Sequence, residues 1–164
     1  MTNNDIIRRI RYIFDFKDPD IVELFAKADL KVTRQQVNDL LLKDDDPSQQ
    51  KISDIGLATF LNGLINDKRG RREGEQPQPE SRLTNNMVLR KLRIALDYKD
   101  EDMLKTQELA HVRISKHELS AFFRKAGHKH YRECKDQVLR NFLKGLQMKL
   151  RPQEQPAVSS VWDR

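Results

Sequence analysis

Apolar residues recur along the first part of the chain at the three-and-four spacing of an amphipathic helix, in four successive stretches. Ile6, Ile7, Ile10, Ile13 and Phe14 mark a first helix ending near Asp15. Ile21, Leu24, Phe25 and Ala28 mark a second, Val37, Leu40 and Leu41 a third, and Leu57, Phe60, Leu61 and Leu64 a fourth. The breaks carry start and stop chemistry. Asn3 and Asn4, with Asp5 in the first turn, read as the N-cap of the first helix. Asp18 reads as the N-cap of the second, with Pro19 at the first helical position. Thr33-x-x-Gln36 is a capping box, and a fourth helix starting at Asp54 stops at Gly70.

The whole pattern then returns. TNNDIIRRIRYIFDFKDPD at Thr2–Asp20 reappears as TNNMVLRKLRIALDYKDED at Thr84–Asp102, and the register of 82 (84 − 2) holds without a gap to Leu64 and Leu146. A unit of this size buries only about 60% of its unfolded surface, so the two copies are expected to pack together. The expected fold is therefore all-α, with two tandem homologous lobes of about four helices each forming one bilobed body. The first lobe is residues 1–68, a polar linker covers 69–82, the second lobe is 83–150, and 151–164 is a disordered tail. Its Trp162 is a candidate partner anchor, though the composition favours an unstructured end.

Several shared features have structural readings. Arg11 and Asp15, like Arg93 and Asp97, sit four apart as surface ion pairs, whereas Arg8 and Arg90 lack such a partner within the helix. Ser115-x-x-Glu118 repeats the capping box. Gly63 and Gly145 interrupt the last helix of each copy, where glycine costs roughly 1 kcal/mol against alanine, and so predict a close helix–helix approach.

No apolar run approaches the roughly 20 residues a membrane span needs, and MTNNDIIRR lacks the basic start and apolar core of an export signal. A single cysteine, Cys134, cannot build a disulfide framework and fits a reducing compartment, so a cytoplasmic protein is expected. Charge is uneven: residues 84–150 carry 15 Lys and Arg against 8 Asp and Glu, while residues 1–66 carry 9 against 11. The asymmetry suits an anionic partner, or docking of the acidic half on the basic half.

Motifs for chemistry are sparse. The Asp44, Asp45, Asp46 run fails as a calcium loop, because Gln49 stands where glycine is required and Ile55 where a bidentate glutamate is required. His128, His130 and Cys134 lack zinc-ligand spacing, and Cys134 replaces the apolar Ile52 of the first copy, which favours a small buried side chain. No phosphate-cradling loop or nucleophile motif is present, so no catalytic residue, metal or cofactor is assigned and a non-enzymatic protein is expected. Helix two, its connector and helix three resemble a helix-turn-helix unit, with Asp29 or His111 available for a left-handed turn. In that arrangement Arg34, Gln35 and Asn38, or Lys116, His117, Ser120 and Arg124, face outward, and Arg8, Arg11, Arg90 and Arg93 reach phosphates. The candidate contacts to a nucleic acid or other anionic partner are Arg90, Arg93, Lys116, His117, Arg124, Lys129, Arg140 and Lys144.

The pattern from Asn85 to Asp102 with Phe142–Leu146, and its earlier copy at Asn3–Asp20 with Phe60–Leu64, resembles the YehS-like family of bacterial proteins, whose duplicated domain has no known function. The resemblance extends over Met1–Met148 and implies a bacterial cytosolic protein, with no catalytic residues to carry over. The first reading is a helical protein-binding or regulatory module acting on a partner protein or a second copy. The alternative is nucleic-acid binding through the basic second repeat.

Overall fold

A computed structural model describes residues 1–152, and these form eight helices with no strand. In chain order they are α1 (Asn3–Phe14), α2 (Asp18–Lys27), α3 (Arg34–Leu41), α4 (Asp54–Arg69), α5 (Asn85–Leu96), α6 (Asp100–Leu109), α7 (Lys116–Phe122) and α8 (Asp136–Leu150). None is long and apolar enough to cross a membrane. The tail with Trp162 lies outside the described residues.

Within each repeat the last helix packs on the second, α4 on α2 and α8 on α6, and the third leans on the second. The repeats interlock reciprocally. α4 of the first packs on α5 of the second, and α8 of the second packs on α1 of the first. The apolar stripes read from the sequence supply this core: Ile6, Ile7, Ile10 and Ile13 of α1 and Leu57, Phe60, Leu61 and Leu64 of α4 are all buried, as are their counterparts Val88, Leu89, Leu92, Leu139, Phe142, Leu143 and Leu146. The glycines set the spacing. A Cβ on Gly63 would fall on the Leu24 carbonyl, and one on Gly145 on the Thr106 carbonyl, both well inside 3.0 Å. Backbone of α4 therefore lies against backbone of α2, as the sequence predicted, and α8 against α6 likewise.

Two bonds tie the repeats together by equivalent atoms. The Leu83 N–H donates to Asp54 Oδ2 at 2.9 Å, and the Met1 amino group, 82 residues earlier, donates to Asp136 Oδ2 at 2.7 Å. Asp54 also accepts from Asn3 and Asp136 from Asn85. These bonds to the charged form hold both carboxyls below the usual range, the Asn3 amide being the largest cause for Asp54 and the Met1 amino group for Asp136. Asp44 is lowered in the same way, by Gln49 and then Arg8. A carboxylate whose folded pKa lies below its unfolded value near 3.8 stabilises the fold above that pH, and the contribution disappears as pH falls through the folded value. Urea midpoints are accordingly expected to hold from pH 7 to 5 and to fall below pH 4. In Asp136→Asn the fall should be shallower; a steeper one would contradict the assignment.

The termini of the helices correct several sequence expectations. Thr2, not Asn3 or Asn4, caps α1, in a capping box with Asp5. Lys17 rather than Asp18 is the N-cap of α2, and its N–H is taken by Asp20, so Pro19 sits one position further into the first turn. The boxes at Thr33/Gln36 and Ser115/Glu118 form as read. Asp15 and Asp97 take the left-handed conformation as C-caps, with φ 56° and 55°. This turns them off the helical surface, so the Arg93–Asp97 pair does not form and Arg93 bonds Asp100 at 2.8 Å instead. Asp15 pairs with Lys17 and Arg151 rather than Arg11. Arg8 does have a partner within its own helix, Asp5, and a second in Asp44.

The linker is not a free span. Arg71 clasps both carboxylate oxygens of Asp29, at 2.9 and 2.8 Å, and reaches the Lys27 carbonyl. Gln76, Pro77 and Pro79 lie over Ala28, Thr59, Asn62, Ile65 and Asn66, and Glu80 pairs with Lys91 at 3.0 Å. The Lys91 side chain is only 11% exposed and also donates to Asn62 Oδ1, so this linker is a strap across α4 and α5.

Candidate functional site

The sequence between α7 and α8 is pinned from below before it presents anything to solvent. Asn86, 4% exposed, donates to the carbonyls of Phe122 and Arg132 and accepts the Cys134 N–H at 2.9 Å. Asn85 holds the Cys134 carbonyl and Asp136. The first repeat repeats every bond: Asn4 donates to Leu40 and Gln50 carbonyls and accepts the Ile52 N–H, and Asn3 holds the Ile52 carbonyl and Asp54. The paired asparagines are thus the clamp for the loop before the last helix. Cys134 lies inside the clamp, 1% exposed, its thiol pushed up to about 12 by burial and then by Asp136 and Glu133. It is a buried side chain, and the described residues contain no group of three or more His, Cys, Asp or Glu that could hold a metal.

On this clamped frame stands a basic face. Lys116 and His117 are exposed in the first turn of α7, and Arg124, Lys125, His128, Lys129, His130 and Arg132 are exposed along the following loop. His117 and His130, thirteen residues apart, come together with ring centroids 6.4 Å apart, and His128 lies 5.5 Å from His130. The corresponding loop of the first repeat carries Asp44, Asp45 and Asp46, with Asp44 held by Arg8 and Gln49.

Five of the eight sequence candidates divide between that face and helix surfaces elsewhere. Lys116, His117, Arg124 and Lys129 belong to the face, while Lys144 is exposed on α8. The other three are already engaged. Arg90 donates to the Phe123 carbonyl at 3.0 Å, and Arg93 bonds Asp100 and the Tyr98 carbonyl while stacking 4.8 Å above the Phe123 ring. Arg140 bonds Gln137 on its own helix. Lys125, Arg132, His128 and His130 lie on the same face and were not among the sequence candidates, although the run from Arg124 to Arg132 contains no acid at all.

A second constellation lies between the repeats, where α1, α4, α5 and α8 end. An open cleft there is lined by Ile13, Phe14 and Asp15 with Ala95, Leu96 and Asp97, and by Lys68 and Arg69 with Leu150 and Arg151. Each set is the other moved by 82 positions. Arg69 crosses to Asp97 at 3.1 Å and Arg151 to Asp15 at 3.6 Å, so the charges answer one another across the cleft. That reciprocity makes it a lock between repeats. The signal in the sequence was Arg69 and Asp15 both returning at the same offset, as Arg151 and Asp97.

A family model described as "Protein of unknown function (DUF1456)" matches residues 3–70 and 85–151, leaving out the strap between them. The "Uncharacterized protein YehS" of Escherichia coli (strain K12) is 43% identical over 147 residues, which cover 89% of this chain and 94% of that protein. No solved structure matches.

Proposed function

The chain belongs to the DUF1456 family of proteins of unknown function, and we propose that it acts in the bacterial cytosol as a non-enzymatic binding module whose second repeat engages an acidic segment of a partner protein. One observation carries the reading. Lys116, Arg124, Lys125, Lys129 and Arg132 are all exposed on α7 and its following loop, and none forms an ion pair among the described residues. Cations left without acids on a clamped loop draw in a polyanion by long-range attraction and hold it by charge-assisted bonds.

Nucleic acid is the second reading, favoured by His111. Its left-handed φ of 61° makes the tight α6–α7 connection a helix-turn-helix needs, and Lys116, His117, Ser120 and Arg124 point outward as that arrangement requires. Two features favour the protein partner over it. α7 has only seven residues to lay in a groove, and Arg90 and Arg93, the phosphate contacts of that reading, are spent on the Phe123 carbonyl and ring.

Anisotropy titration of the full chain separates the two, with a labelled oligoglutamate peptide, a labelled duplex DNA and a labelled single-stranded RNA at low and near-physiological salt. The peptide should bind, and Arg124→Glu with Lys125→Glu and Lys129→Glu should weaken it by about tenfold or more, the scale of one lost charge-assisted contact. Preferential binding of duplex DNA, with a log–log salt slope near −0.9 per neutralised phosphate, would transfer the assignment to nucleic acid. No binding of any probe at low salt would end both readings.

A further inference from the structure

We propose that the compartment beneath the strap is a binding site for a mononucleotide-sized ligand, a flat heterocycle joined to an anionic group. Two adjoining spaces make it up. The larger, a cavity of ≈ 350 Å³, lies between α4, α5 and the strap, and Ile65, Pro77, Met87 and Ile94 are its apolar walls. The smaller, of ≈ 70 Å³, adjoins the end of α2 at Ala28, and the two share Asn62, Ile65, Asn66 and Pro77 as common lining. Apolar walls with a few placed polar groups are the usual make-up of a small-molecule site. Its open lip is Ile94, 45% exposed on α5.

The polar groups inside point to the ligand. Thr59 donates to the Ile55 carbonyl and Asn66 to the Lys27 carbonyl, so both are satisfied within the fold. Asn62, 9% exposed, has its Oδ1 taken by Lys91 at 2.6 Å, and its Nδ2 has no partner among the described residues. Gln76 spends its Nε2 on the carbonyls of Arg72 and Gly74, and its Oε1 is buried without a partner among the described residues. One amide donor and one amide acceptor are therefore left open under the strap. Buried polar groups are nearly always paired, and an open donor and acceptor together match the edge of a nucleobase, which carries both kinds side by side. Charge supplies the other end. Lys91 and Glu80 answer each other at 3.0 Å, whereas Arg72 and Arg90, on the lining of the larger cavity, form no ion pair among the described residues. The Arg72 Nε donates to the Glu75 carbonyl, which leaves the two terminal nitrogens of its guanidinium for a phosphate. The site belongs to the first repeat alone, since Lys144, Gln147 and Met148 replace Asn62, Ile65 and Asn66 in the second, and it shares no residue with the basic face.

Calorimetric titration of the full chain with adenosine, guanosine, cytidine and uridine monophosphates tests the site, with the matching nucleosides and inorganic phosphate as half-ligands. At least one mononucleotide should bind with a Kd of about 1 mM or tighter, and about tenfold or more tightly than either of its halves. Arg72→Ala should weaken that binding by about tenfold, the scale of one charge-assisted contact. Ile94→Glu, which sets a carboxylate on the exposed apolar lip, should weaken it as much, with circular dichroism unchanged in both variants. No binding of any of the four at millimolar concentration would overturn the proposal. So would inorganic phosphate binding as tightly as the mononucleotide, which would leave a site for a bare anion, or full affinity in either variant, which would put the ligand elsewhere on the chain.

Discussion

Asn86→Ala is expected to destabilise the protein by about 3–5 kcal/mol, because three backbone groups, two of them buried and one partly so, lose their partner together at about 1–3 kcal/mol each, less whatever water regains. The carboxamide serves the Phe122 and Arg132 carbonyls and the Cys134 N–H, all at 2.9–3.0 Å, and no neighbouring donor replaces it when it is cut back to a methyl group. For a domain of this size the loss lowers the thermal midpoint by about 10 °C or more. Asn4→Ala should act equally in the first repeat, where the Leu40 and Gln50 carbonyls and the Ile52 N–H are the groups orphaned. Denaturation curves measure the cost, and hydrogen exchange at the Cys134 amide locates it. Full protection of that amide in Asn86→Ala would refute the clamp.

Gly63→Ala should be destabilising by about 2–3 kcal/mol, against the usual gain of roughly 1 kcal/mol for removing a glycine from a helix. Two effects of opposite sign compete at this position. The propensity gain is fixed, but the added methyl group meets the Leu24 carbonyl, which is backbone and cannot rotate away. α4 and α2 must separate, and packing around Phe25 and Phe60, whose rings lie 5.4 Å apart, loosens with them. Gly145→Ala repeats the experiment against Thr106. Because the two sites lie in different repeats, their costs should add to within about 0.5 kcal/mol in the double variant. A raised thermal midpoint for either single variant would mean that the helices are not in backbone contact.

Much of this architecture was legible in the residues because it rests on local rules. Helical periodicity, the boxes at Thr33 and Ser115, the left-handed turns at Asp29 and His111 and the close approach at Gly63 all follow from short-range geometry. Asn3 and Asn4 were misread for an equally local reason: asparagine is a good cap, and nothing in the spacing reveals that Thr2 takes the cap and frees both amides for a loop nearly fifty residues away. Arg93 was assigned to Asp97 by counting four along a helix that has already turned at that residue. The strap was read from composition as a spacer, and composition does not disclose that Arg71 meets Asp29 or that Glu80 meets Lys91. Of the basic face, the charges were visible and their freedom was not. Which arginine takes a carbonyl is decided by the fold: Arg90 and Arg124 are both exposed, and Arg90 donates to the Phe123 carbonyl.

The reciprocal packing of α4 on α5 and α8 on α1 is the geometry of a two-fold dimer written on one chain. The Met1 amine and the Leu83 amide do the same work for opposite halves, as the N-termini of two subunits would. The strap joins the two halves in one chain, so unlike the subunits of such a dimer they need not be identical. One loop carries Asp44, Asp45 and Asp46 while its counterpart is basic, a difference that a symmetric dimer of a single sequence cannot have.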